Sequence, residues 1–168
     1  MDMAKRLRCL SWDDYGISKE RYRELKFFCL QYKAKKKQAA AIGEYGPRGG
    51  GSSGGTSGGF VSKPTEEAAI KNVMKRERLL QDIRIIEEAA MRAANVSGYT
   101  RAWRLILRSV TEDIGFDRIS LLYSFVPYTK TDFAAVRRVF FHYLDELQDD
   151  PESPENTGFS GPQKVGAN

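Results

Sequence analysis

The chain is 168 residues long, enough for one or two small domains, and its 27 Lys or Arg against 22 Asp or Glu give a formal net charge of +5. Two cysteines and a single histidine, His142, are too few for the roughly four ligands of a zinc site, so neither a metal nor a cofactor is expected. No apolar run approaches the ~20 residues of a membrane span, and the basic N-terminus lacks the apolar core of a signal peptide, which predicts a soluble cytoplasmic protein with no membrane partner.

The charge is unevenly placed. Residues 1–46 hold eleven Lys or Arg against six Asp or Glu, whereas the tail from Asp149 carries four acids and one lysine, Lys164. An anionic partner is favoured for the rest of the chain, and the tail would repel one. Cys9 and Cys29 have no nearby metal-ligand spacing. Reduced thiols are the ordinary state in a cytosolic protein, and a disulfide between them is left open.

Residues 1–45 form an N-terminal basic helical region. After Gly16 and Ile17, Ser18 predicts an N-cap, and Tyr22, Leu25, Phe28 or Cys29, and Tyr32 follow at helical spacing. Lys33, Lys35, Lys36 and Lys37 cluster in its C-terminal half. Cations there complement the helix dipole, and phosphate contact is a second reading.

Residues 46–62 are a Gly/Ser-rich linker, predicted to be a flexible coil. It lacks the GxxxxGK[ST] spacing of a phosphate-binding loop. Residues 63–148 are predicted to combine a long helix with a DNA-binding unit. Pro64 and the carboxylates of Glu66 and Glu67 suit a helix start, and Ile70, Val73, Met74, Leu80, Ile83, Ile86 and Ala90 give an apolar stripe. Leu79, Ile83, Ile86, Ala90 and Ala93 alternate by four and three, a packing seam. Packing within the chain is the first expectation, and a homodimer through the long helix is the second.

A helix over residues 101–113 follows the break at Asn95 to Gly98. Its Trp103, Ile106, Leu107 and Val110 are apolar, and Arg101, Arg104 and Arg108 form a basic ridge. Salt bridges to Glu87, Glu88, Glu112 and Asp113, or contact with a phosphate backbone, would each account for that ridge.

Residues 117–148 read as a helix-turn-helix. The first helix spans 117–124 with Ile119, Leu122 and Tyr123 inward, and the turn holds Phe125, Val126, Pro127 and Tyr128. Thr129, with Asp132 three residues on, is a capping signature for the second helix. Phe133, Val136, Phe140, Tyr143, Leu144 and Leu147 make its buried stripe. The opposite face then carries Thr131, Ala134, Ala135, Arg138 and His142, with Lys130 at its edge. Small residues that let a backbone approach, with donors around them, suit a helix laid in the major groove of double-stranded DNA. A helical corner with a solvated outer face is the plainer account. Residues 149–168 are predicted to be a disordered acidic tail.

The order of these parts resembles the ArpU and RinA-like family of phage-encoded regulators of late gene transcription. The likeness is carried by residues 63–71 (KPTEEAAIK), 85–90 (IIEEAA) and 128–147, with Arg137, Arg138, Phe140 and Phe141. It covers roughly residues 60–148. It implies a C-terminal domain similar to the promoter-reading region of sigma factors, with Lys130, Thr131 and Arg138 as base or phosphate contacts. RNA polymerase is then a further candidate partner. Ala134 and Ala135 depart from the longer polar residues expected on such a reading face.

The sequence therefore predicts an all-α helical bundle with a C-terminal helix-turn-helix. Its expected function is a sequence-specific DNA-binding transcription regulator of a phage or prophage. DNA contacts are expected from Lys130, Thr131, Ala134, Arg138, His142, Arg101, Arg104 and Arg108. One alternative is the small subunit of a phage terminase, although the order of its DNA-binding and oligomerising parts would be reversed. Another is a helical protein-interaction module without DNA binding. No nucleophile motif or metal cluster points to an enzyme.

Overall fold

A computed structural model describes residues 10–44 and 63–149. Among the described residues all regular structure is helical, in six α-helices: α1 (Lys19–Leu30), α2 (Tyr32–Glu44), α3 (Lys63–Val96), α4 (Trp103–Thr111), α5 (Phe116–Leu122) and α6 (Lys130–Asp149). Short 3-10 turns at Asp13–Tyr15 and Thr100–Ala102 precede α1 and α4. The predicted linker core at 46–62 and the tail beyond Asp149 lie outside the described residues. No described helix is long and apolar enough to cross a membrane.

The N-terminal helix starts where its cap predicts, since Ser18 Oγ accepts the Arg21 N–H at 3.1 Å. It does not run on as one piece. Gln31 interrupts it, its amide donating to the Phe28 carbonyl at 3.3 Å, and the two segments take different partners. α1 packs on α4 and α6 through Leu25 and Cys29, whereas α2 lies along α3 through Tyr32 and Ala39. Burial pushes the Cys29 thiol up to about 12. Cys9 lies outside the described residues, and with it the question of a disulfide.

The long helix α3 is the axis of the bundle. Ile83, Ile86, Ala90 and Ala93 of the predicted seam are buried, together with Ile85, Ala89 and Ala94. Four alanines along its last turns let the neighbouring helices approach closely, and Phe133, Phe140 and Phe141 of α6 join them in the core. Burying each such phenylalanine contributes roughly 1.5–3 kcal/mol.

α2 and α6 run antiparallel to α3. Tyr32 and Lys36 of α2 reach Glu87 while Lys35 reaches Asp82. Tyr128, just before α6, lies 2.9 Å by its hydroxyl from Ser97 Oγ, just after α3. The stripe predicted from Ile70 is corrected in its first part, because at about 100° per residue Ile70, Val73 and Met74 lie on the side of α3 opposite Leu79, Ile86, Ala90 and Ala93. Ile70, Val73 and Met74 stand exposed, and the packed seam begins only at Leu79 and Leu80.

Two further corrections concern the last helices. α5 ends at Leu122 because Tyr123 turns extended (φ −127°, ψ 132°), and Leu122 is exposed where it was expected inward. Seven residues, 123–129, therefore separate α5 from α6 instead of a four-residue turn. On α6 the buried face is wider than one stripe, taking in Ala135, Val139 and Phe141. Ala135, placed on the outer face by the helical wheel, is only 1% exposed, because α6 packs on α1, α3, α4 and α5.

Candidate nucleic-acid interface

The start of α6 is locked by its own sequence. Thr129 Oγ1 accepts the Asp132 N–H at 3.2 Å and donates to the Asp132 carboxylate at 2.7 Å, and the Thr129 carbonyl accepts the Phe133 N–H at 2.9 Å. This capping arrangement fixes where the chain enters the helix. Tyr128 anchors the entry from behind: it is buried, edge-on to Tyr99 at 5.2 Å and close to Phe133 at 5.9 Å. Burial holds its phenol above the usual range, opposed by the Ser97 hydrogen bond.

From this anchored start the first two turns open to solvent. Lys130, Thr131 and Ala134 are exposed. The Lys130 ammonium is held by Asp117 of α5, 2.8 Å from Oδ2 and 3.1 Å from Oδ1, a surface pair in which both side chains are largely exposed. Asp117 was absent from the predicted site. Its pairing spans the seven-residue loop, and no local spacing announces it.

The next turns of the same face are covered. Arg138 is half-buried, and its Nε is fully enclosed without a hydrogen-bond partner. His142 is half-buried, its ring 4.9 Å from that of Tyr15 and its Nε2 3.4 Å from Glu146 Oε1. Tyr15 belongs to the 3-10 turn before α1, and Trp12 of the same segment packs on Phe141 at 5.9 Å. The Tyr15 phenol is raised chiefly by burial, with the Arg138 charge pulling the other way. Arg138 and His142 thus belong to the junction between the N-terminal segment and α6, whereas Lys130, Thr131 and Ala134 form an exposed surface.

The predicted arginine ridge divides as well. Arg108 is engaged: it lies 3.3 Å from Glu112, 3.5 Å from the Tyr123 hydroxyl, and over the Tyr123 ring at 5.6 Å. Of the acids expected to neutralise the ridge, Glu112 also meets Lys33 at 2.9 Å, Asp113 meets Lys26 at 2.8 Å, Glu87 meets Lys36 and Glu88 meets Arg92. Lys33 first, then Arg108, lowers the Glu112 carboxyl. Arg101 and Arg104 remain exposed, Arg104 lying 5.3 Å over the Trp103 ring. The contact of Tyr99 with Tyr128 sets the start of this segment beside the start of α6.

The lysine cluster of α2 is largely occupied inside the fold. Lys35 binds Asp82 at 2.5 Å with both side chains mostly buried, and also sits 3.8 Å over the Phe28 ring. Lys33 and Lys36 have the partners already given, and Lys37 is exposed. Comparison of the chain with models of known protein families, with curated proteins and with solved structures finds no match.

Proposed function

We propose that the protein binds double-stranded DNA and reads it with the first two turns of α6. The observation that carries this reading is the capped, anchored start of α6, where Lys130, Thr131 and Ala134 stand exposed to solvent. Two properties of that surface suit a groove: a backbone that can come close to base edges, and cations beside it for phosphates. Arg101 and Arg104 are the flanking phosphate contacts, and α5 with the loop 123–129 forms the first part of a helix-turn-helix with a lengthened turn. In this assignment Arg108, Arg138 and His142 support the fold more than the contact. The order of elements supports extending the reading to a phage or prophage regulator of the ArpU and RinA-like kind.

The test is fluorescence-anisotropy titration of the purified protein against fragments of its own genomic neighbourhood, with random DNA of equal length as control, at several salt concentrations. A preferred fragment with a salt-dependent affinity is the expected outcome. Absence of binding at low salt sinks the reading.

A second reading, a helical protein-interaction module, is favoured by one specific observation. Leu121 and Phe125, on α5 and the loop after it, are 87% and 76% exposed beside Leu122, an apolar patch that the fold leaves to solvent. In that case Lys130→Ala and Arg104→Ala would leave every binding activity unchanged, whereas Phe125→Ala would not.

A further inference from the structure

One flank of α3 is cationic where the helix rises out of the bundle. At about 100° per residue, Lys71, Lys75 and Arg78 fall within a strip about 60° wide that also takes in Asp82. With Met74, Leu79 and Asp82 they line a groove of about 440 Å³. All three cations are exposed, and none has an ion-pair partner among the described residues. Asp82 is already taken by Lys35 at 2.5 Å. Two other acids stand near. Glu67 lies one turn before Lys71 and about 40° round from it, whereas Glu77 points about 100° away from Arg78, onto the outer face with Ile70. The strip therefore holds three cations against the one acid Glu67.

Contacts at this end of the bundle fix what stands beside the groove. α1 runs antiparallel to α6, since Arg21 meets Asp145 at 2.5 Å while Lys26 meets Asp113, itself 4.0 Å from Arg137. It is therefore parallel to α3. Lys35, bonded to Asp82, also sits over the Phe28 ring, which sets Phe28 of α1 level with Asp82 and on its side of α3. Arg21, seven residues earlier, is about 10 Å further along, at the level of Lys75. The same guanidinium reaches Gln148 at 3.3 Å and Asp149 at 3.4 Å, so α6 ends beside the groove.

Asp149 is followed by the acids Asp150, Glu152 and Glu155 in the stretch DPESPE. A chain spans at most about 3.5 Å per residue, so these acids stay within about 21 Å of Asp149. The cations at the start of α6, about 30 Å away along the helix, are out of their reach. Lys19 and Arg23 of α1 are nearer, but Glu20 and Glu24 alternate with them. We propose that residues 150–155 dock in the groove on α3 of their own chain, with their three carboxylates against Lys71, Lys75 and Arg78. A tethered segment meets its site at an effective concentration in the millimolar range, so exposed ion pairs suffice without a large contact area. Docked, the segment screens the strip from other polyanions, most strongly at low salt.

The test uses the full chain with heparin as the probe, so its outcome is independent of the DNA-reading assignment. Neutralising the segment with Asp150→Asn, Glu152→Gln and Glu155→Gln should tighten heparin binding several-fold at low salt. That gain should vanish in a chain that also carries Lys71→Gln, Lys75→Gln and Arg78→Gln, because the uncovered strip is what heparin gains. Helix content and melting should stay unchanged, since these three side chains lie outside the core.

Carbodiimide coupling of the dilute protein, followed by peptide mass spectrometry of the monomer band, reads the contact directly. Links from Asp150, Glu152 or Glu155 to Lys71 or Lys75 are expected. An equal gain with and without the strip would assign the acids to general repulsion and overturn the proposal. So would no gain at all, or links that are absent or found only between two chains.

Discussion

The two halves of the outer face of α6 begin from similar sequence and end in different environments. The first two turns present Lys130, Thr131 and Ala134 to solvent, while the turns carrying Arg138 and His142 sit beneath the segment from Trp12 to Tyr15. What separates them is a part of the chain more than a hundred residues away. A helix can be amphipathic by its own periodicity and still have its polar face divided by a neighbour. The open half is available for recognition, and the covered half contributes to cohesion.

The largest expected effect lies under the cover. Phe141 is buried against Trp12, Tyr22 and Phe140, with ring centroids 5.9, 4.9 and 5.1 Å away. Phe141→Ala should destabilise the fold by about 3–5 kcal/mol in chemical denaturation, as large-to-small changes of buried aromatics do. A loss below about 1 kcal/mol would mean that the N-terminal segment is not seated on α6, and the division of the face would collapse.

The functional side of the comparison is a pair of substitutions. Lys130→Ala should weaken DNA binding evenly across sequences and reduce the slope of log affinity against log salt by about one, the signature of a lost phosphate contact. Arg138→Ala should leave that slope unchanged and lower the melting temperature instead, since its guanidinium is partly enclosed beside Tyr15. The reverse pattern would place the reading surface on the covered half.

The cap comes next in size. Thr129→Ala removes the acceptor for the Asp132 N–H and should cost about 1 kcal/mol of stability, within the range of N-cap deletions. Thr129→Ser, which keeps the hydroxyl, should recover most of it. Equal losses for the two would trace the effect to the threonine methyl group, and the hydrogen bonds would not be the anchor of the open half.

What could be read from the sequence follows from how local each cause is. The caps at Ser18 and Thr129 and the seam from Ile83 to Ala93 rest on spacings of three and four, and they appear where those spacings place them. The break at Gln31 was not legible, because it depends on α1 and α2 choosing different partners. Ala135 and Phe141 were misjudged or missed for a related reason. A helix with neighbours on several sides buries more than one stripe, and a wheel assumes only one. The exposure of Ile70, Val73 and Met74 has a geometric cause: at about 100° per residue they lie on the side of α3 opposite Leu79, Ile86, Ala90 and Ala93, so apolar residues spaced along one helix do not all share its packed face.

The same distinction between local and distant causes governs the smallest effect. Lys130 is held by Asp117, and both side chains are largely exposed, so the pair contributes between zero and about 1 kcal/mol and is weakened by salt. Asp117→Asn should therefore leave the melting temperature within error. If the start of α6 meets phosphate, the same substitution frees the Lys130 ammonium and removes a negative charge beside it, so DNA affinity at low salt should rise by a few fold. That gain should fade as salt screens the surface. In the double variant with Lys130→Ala only the charge-removal part of the gain should remain, so the two substitutions should be non-additive. Additive effects would show that Asp117 acts on DNA by simple repulsion and that the lysine it holds is not the contact.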